Sequence, residues 1–371
     1  MEYLINFFSS GTGILYVLIW LVVFVSIIEK NKIVKLWSIF MILFFSFVFL
    51  GLRSSTSGTD TSNYVKYFNS NKSNEDFEAL YNAFTYLLRL ISGSAGFIFA
   101  NVLVQMLLII VICRIIKLQN TALVLLAYVS FLPGFDMLTN GLRQGLSTCI
   151  VTLIFVLAYQ REKISKIFTF CVVFLHKSAL PFGFFYFLAW IKNEKWMFKL
   201  INLMAITFLV LIVLWHWINF TDDLSAITNI MSLPMFDVDQ SIGNKFNIYL
   251  ISEQEILSGA FKYYFLLILS GFLSTFYIYR KQVKSLSHKR HILLFAMLVF
   301  FLALPYALIW QSPFSYRFMY SAFLPGLVFA VKMIEIGNRK THLLYLVGIL
   351  LVSAILTYGS NTYLKFNYIF T

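Results

Sequence analysis

Apolar residues in this chain come in long blocks separated by short polar connectors, not in the strict alternation of a half-buried strand. Residues 14–28 and 36–52 hold no charged side chain, and each approaches the roughly 20 residues a helix needs to cross a hydrocarbon core. The same pattern predicts helices near 14–28, 33–52, 97–116, 121–138, 142–159, 164–175, 178–191, 200–218, 259–279, 292–310, 317–335 and 342–359. The sixth and seventh are short and meet at FLHKSALPFG (174–183), where Pro181 and Gly183 suit either two short spans or a broken, re-entrant pair. The expectation is an all-α polytopic membrane protein with about 12 transmembrane helices, forming one integral membrane domain over residues 1–371.

Composition narrows the class further. Hydrophobic residues make up 60% of the chain and charged ones 12%, with a mean hydropathy of +0.81, whereas about a quarter of a soluble domain is charged. Little chain remains for a separate soluble domain. The first apolar run follows no basic segment and precedes no small-residue cleavage site, so it reads as a retained helix. Cys113, Cys149 and Cys171 all lie inside apolar runs. With no CxxC or Cys/His cluster, they read as packing residues and not as a disulfide framework or zinc site.

Charge then orients the chain. One set of connectors holds 19 of the 29 Lys and Arg residues and 4 of the 16 acidic ones, so its net charge is +15 against −2 on the opposite side. The basic side is expected to be cytoplasmic. The +13 overall is thus mostly topology, and nucleic-acid binding is excluded because no basic soluble domain carries it. Two long segments fall outside: 53–96 and the acidic 219–258. Within the first, 76–91 has helical spacing, with Leu80, Tyr81, Phe84, Leu87, Leu88 and Ile91 on one face and Glu78, Asn82, Thr85 and Arg89 on the other. It predicts an amphipathic helix lying in the outer interface. The acidic segment suits a lid that either binds sugar hydroxyls or only shields a site.

Five ionisable residues remain near membrane depth, all on the outer side: Arg53, Asp60, Arg143, His176 and Arg317. Such residues are costly unless paired or functional. Arg presents a fork matched to phosphate oxygens and keeps its charge when partly desolvated. Arg143 and Arg317 also open helices, where free N–H groups favour an anion. A lipid-borne diphosphate at the outer leaflet fits three such arginines. His176 beside a helix break can accept a proton from a hydroxyl nucleophile; Asp60 is the other candidate base, and the residues do not choose between them. Tyr64, Gln144 and Tyr316 stand beside these groups as substrate-positioning candidates. Trp215, Trp217, Tyr306 and Trp310 are available to stack on sugar rings.

Each of these has a structural alternative. Asp60 suits the cap of a helix starting near Thr61, Arg53 a snorkelling role, and His176 a core position bonded to a carbonyl. Asp136 stands where it could orient Arg143, and Arg89 and Lys66 suit lipid headgroups.

The ordered set Arg53-x4-Gly58-x-Asp60-x3-Tyr64, then LRQGLS (142–147), then HKSAL (176–180), resembles the EpsG-like branch of the Wzy-type polysaccharide polymerases. The resemblance is carried mainly by the first half of the chain. It implies a GT-C-like, membrane-embedded inverting glycosyltransferase acting on polyprenyl-diphosphate-linked oligosaccharides at the outer face of the cytoplasmic membrane, toward periplasm or exterior. By that resemblance Arg143 and Arg317 match positions for diphosphate contact and His176 the histidine motif. No metal, cofactor or nucleotide sugar is required, and a chain-length regulator protein is left open as a partner beside membrane lipid. The polymer could be O-antigen, capsule or exopolysaccharide. An O-antigen-ligase-like transferase and a lipid-linked oligosaccharide flippase are the competing functions.

Overall fold

In a computed structural model the chain is described over residues 11–28, 31–55, 60–70, 78–161, 182, 191, 193–217, 259–285, 289–308, 315–337 and 348. Every regular element among the described residues is helical. Among the described residues four helices are long and apolar enough to cross a membrane, five if one bent pair counts as a single span. Val17–Ser26, Leu142–Leu157 and Ile292–Leu304 are shorter apolar helices. A polytopic membrane protein is therefore observed, with fewer qualifying spans among the described residues than the expected dozen. The expected sixth, seventh and twelfth helices and the acidic segment 219–258 lie outside those residues.

Contacts divide the chain into two compact units, one of residues 1–187 with 323–371 and the other of residues 188–322. The first contains α1 (Gly11–Ile28), α2 (Lys32–Phe45, continued by a π-helical turn, Ser46–Gly51), α3 (Thr61–Asn69), α4 (Ala79–Ile91), α5 (Ser94–Ile115), α6 (Thr121–Ser130), α7 (Leu132–Thr139) and α8 (Leu142–Arg161). α5 is its axis, packed against α8, the π-helical turn, α6, α3 and α4. The outward faces of α1 and α2 are apolar, with Leu18, Leu21 and Val25 on one and Leu36, Phe40 and Phe44 on the other. Apolar stripes of this kind face lipid tails at no cost. The second unit holds α9 (Glu194–Trp217), α10 (Gly259–Ser285) and α11 (Lys289–Leu308). Phe276 of α10 meets Phe198 of α9 at 6.1 Å and Phe300 of α11 at 6.3 Å, while Tyr277 donates to the Asn202 side chain at 2.9 Å. The last described helix, α12 (Ser315–Gly337), contributes its residues from Phe323 onward to the first unit.

The predicted helix 121–138 is two helices bent by 76° at Phe131. Pro133 enters the first turn of α7, where its missing N–H costs nothing but where its ring stops α6 from running on. Gly134 makes the bend possible. A Cβ there would stand 2.8 Å from the Tyr128 carbonyl carbon and 3.0 Å from the Phe323 ring.

At the far end of α5 the chain turns through Lys117, whose φ of 58° is left-handed. Lys117 N–H donates to the Arg114 carbonyl at 3.0 Å and Leu118 N–H to the Cys113 carbonyl at 2.9 Å, closing the helix with a Schellman motif. The α12 side chains clasp this turn. Glu335 accepts from Gln119 and Asn120 N–H at 2.7 and 2.8 Å, and Lys332 donates to the Ile116 carbonyl at 3.3 Å.

Candidate active site

The short helix α7 ends inside the protein, which exposes a problem any helix end has: its last carbonyls lack partners. Away from water each would cost a few kcal/mol. Three distant side chains solve it. Gln105, from the middle of α5, donates to the Met137 carbonyl at 3.2 Å and accepts from Tyr128 at 3.2 Å. Arg53 donates to the Leu138 carbonyl at 3.3 Å and the Thr139 carbonyl at 2.6 Å, and also to the Leu50 carbonyl. Thr61 donates to the Thr139 carbonyl at 3.1 Å and accepts from Arg53 at 3.3 Å.

Arg53 is 1% exposed. Burial pulls its pKa from the ordinary 12.5 to about 9, which leaves it charged at neutral pH. A cation at a helix C-terminus also complements the macrodipole. The guanidinium therefore sits against protein carbonyls, neither snorkelling nor open to solvent, and only its Nε lacks a partner. Gly145 lets α8 close over the same layer: a Cβ there would approach the Met137 carbonyl to 2.7 Å and the Gln105 Cδ to 2.8 Å.

With the end of α7 held, the next residues start α8. Asn140 and Gly141 N–H groups both donate to the Asp136 carbonyl, at 2.7 and 2.8 Å. The Asp136 carboxylate accepts from the Asn140 amide at 2.7 Å. Arg143, second residue of α8, then projects toward α3 and α4. Its Nη1 donates to Glu78 at 2.9 Å and its Nε to the Tyr64 hydroxyl at 3.5 Å, with the guanidinium carbon 5.9 Å from the centre of the Tyr64 ring. The Glu78 and Arg143 side chains are 9% and 20% exposed, so the pair lies at the edge of the packed interior.

Tyr64 stands 6.2 Å from Tyr81, ring to ring, within an apolar cluster that includes Phe68, Phe97 and Leu142. Burial pushes the Tyr64 phenol up from its ordinary value; the Arg143 charge opposes this and the Asp60 charge adds to it. Both phenols are neutral at pH 7, and Tyr81, buried deeper, is raised well above its ordinary value. Asp60 occupies the cap position of α3 but makes no side-chain capping bond, and it is exposed. Gln144 follows Arg143 and is buried. The arrangement thus collects a half-buried cation, two carboxylates and a neutral phenol at one end of the α5 bundle. It can hold an anion and leave a carboxylate beside it.

α4 turns its polar residues inward together with Tyr81 and Leu88. Glu78, Tyr81, Asn82, Thr85, Leu88 and Arg89 form the face turned into the protein, where Tyr67 donates to the Asn82 side chain. Arg89 does not reach outward for headgroups; it donates to the Phe68 and Tyr67 carbonyls at 2.8 and 2.7 Å and lies over the Tyr67 ring. Leu80, Tyr86, Leu87, Leu90 and Ile91 are the exposed ones. A helix with its polar side inward and its apolar side outward suits lipid surroundings.

Among the sequence-predicted residues, the structure brings Asp60, Tyr64, Arg143 and Gln144 to one end of the first unit and buries Arg53 beneath them. His176 and Gly58 lie outside the described residues, as do the side chains of Arg317 and Tyr316; Arg317 lies in the first turn of α12, in the second unit. Sequence reasoning missed Glu78, Gln105 and Thr61. Gln105 carried a legible signal, a lone amide within an otherwise apolar run; Glu78 and Thr61 carried none.

A profile of the EpsG family matches residues 35–370. Comparison with curated proteins and with solved structures returns no match.

Proposed function

From the premise that the chain belongs to the EpsG family, we propose that it is a surface-polysaccharide polymerase of the cytoplasmic membrane, with its site toward periplasm or exterior. Membership itself points to polymerase-like work on polysaccharide in a membrane. The observation that supports the finer reading is Arg143, a half-buried guanidinium held at the mouth of a packed bundle. Its orientation follows from the basic Arg114, Lys117 and Lys332 at the other end of α5, a distance of about 33 Å for a helix of this length.

In this reading a hydroxyl of one polyprenyl-diphosphate-linked repeat unit attacks the anomeric carbon of a second, growing glycan. The new C–O bond forms as the bond to the diphosphate breaks, with inversion. Arg143 and Arg317 receive the charge that develops on the leaving polyprenyl diphosphate, and His176 or Asp60 takes the hydroxyl proton. Tyr64, Gln144 and Tyr316 position the sugars. Arg53 supports the chain segment that carries Arg143.

The test is His176→Ala or Arg143→Ala in cells, at confirmed membrane abundance, with mass spectrometry of the lipid-linked glycans and a gel of the surface polymer. Accumulated single repeat units without long chains are expected. Wild-type chain lengths in both variants would sink the assignment. A wild-type protein that modifies one acceptor without lengthening the lipid-linked glycan would be a ligase.

A further inference from the structure

We propose that the Glu78 carboxylate is the resident anion of the diphosphate subsite, holding Arg143 before substrate arrives and giving it up to the incoming lipid-linked diphosphate. This rests on Arg143 being a diphosphate-binding residue and adds what the substrate must displace. Carboxylate and phosphate oxygens compete for the same guanidinium donors, and Glu78 already engages Nη1 at 2.9 Å. A diphosphate brings more negative charge to that donor than a single carboxylate does, so Coulomb attraction favours the exchange.

The two partners are anchored differently. Arg143 lies on a helix whose start is tied through Asn140 and Gly141 to the Asp136 carbonyl, and its Nε reaches Tyr64. Glu78 precedes α4 in extended backbone, φ −66° and ψ 148°, and its side chain caps nothing there. Rotation about the Glu78 side-chain bonds withdraws the carboxylate from Nη1 while the start of α8 keeps its own ties. Access agrees with this. Leu80, two residues on, begins the exposed apolar face of α4 that runs through Leu87 to Ile91, a surface on which a prenyl chain can lie.

Removing the competitor should tighten anion binding, the reverse of what losing a ligand-contact residue does. Undecaprenyl diphosphate is titrated into the full-length protein in lipid nanodiscs, for wild type, Glu78→Gln, Glu78→Asp and Arg143→Gln. Glu78→Gln is expected to bind about threefold to fivefold more tightly, the scale of a partly screened ion pair. Glu78→Asp, which keeps the charge but shortens its reach, should bind about twofold more tightly and carries the test if the amide variant does not fold. Arg143→Gln should lose binding. Unchanged or weaker binding in both Glu78 variants, with binding lost in Arg143→Gln, would overturn the displacement alone. Undiminished binding in Arg143→Gln would overturn the diphosphate reading of Arg143 together with it.

Discussion

Arg53 and Arg143 lie in one compact unit, and their surroundings differ in kind. Arg53 is enclosed and faces carbonyls at the end of α7 and at Leu50. Arg143 is partly open and faces a carboxylate and a phenol. Carbonyl partners are fixed by the backbone, so Arg53 cannot exchange them without undoing a helix end. A carboxylate on a rotatable stem can be exchanged. One arginine is therefore committed to the fold, and the other is the one we propose for an anion.

The sharpest way to break this contrast is Arg53→Ala, which strands the Leu138 carbonyl in the interior and leaves the Thr139 carbonyl to Thr61 alone. The expected loss is about 3–5 kcal/mol, read as failure to recover monodisperse protein or a large fall in melting temperature in detergent. Wild-type melting would remove the distinction between the arginines. Gly145→Ala probes the layer between them. Forcing a methyl against the Met137 carbonyl and Gln105 should cost about 1–3 kcal/mol by the same melt; no change would mean that the α5–α8 approach is looser than described. Arg143→Gln should cost only about 1 kcal/mol, because a partly exposed pair is screened, while the surface polymer disappears. A large destabilisation there would class Arg143 with Arg53. The smallest effect is expected at the other end of α5. Lys117→Gly relieves a left-handed lysine and should stabilise by about 0.5 kcal/mol, with polymer length unchanged. A shift in polymer length would show that this turn communicates with the site.

Much of the architecture was legible in the chain. Apolar runs located α2, α5, α8 and α9 to within a few residues, because lipid demands continuous apolar surface and leaves little choice. Arg143, Asp60 and Tyr64 were singled out as ionisable or aromatic groups at span edges, and they do share one end of the first unit. The errors have a common source. Periodicity along 76–91 marked a helix, but its two sequence faces are not the inward and outward ones, because Tyr81 and Leu88 turn inward with the polar residues. Here Asn82, Thr85 and Arg89 face protein and Leu87 and Ile91 face outward. The Phe131 break was hidden for a related reason: an apolar run reads the same whether its helix is straight or bent by 76°.

What this sequence determined by itself is the class of molecule, the position of most of the described helices and a short set of candidate cations, since those follow from local composition and the cost of charge in hydrocarbon. The use of each cation was not local. Arg53 reaches Leu138 across 85 residues, and Arg143 reaches Glu78 across 65. Only folding brings a buried helix end to one arginine and a carboxylate to the other. The difference lies in desolvation and in partners the chain supplies from far away, and no window of residues around either arginine contains it.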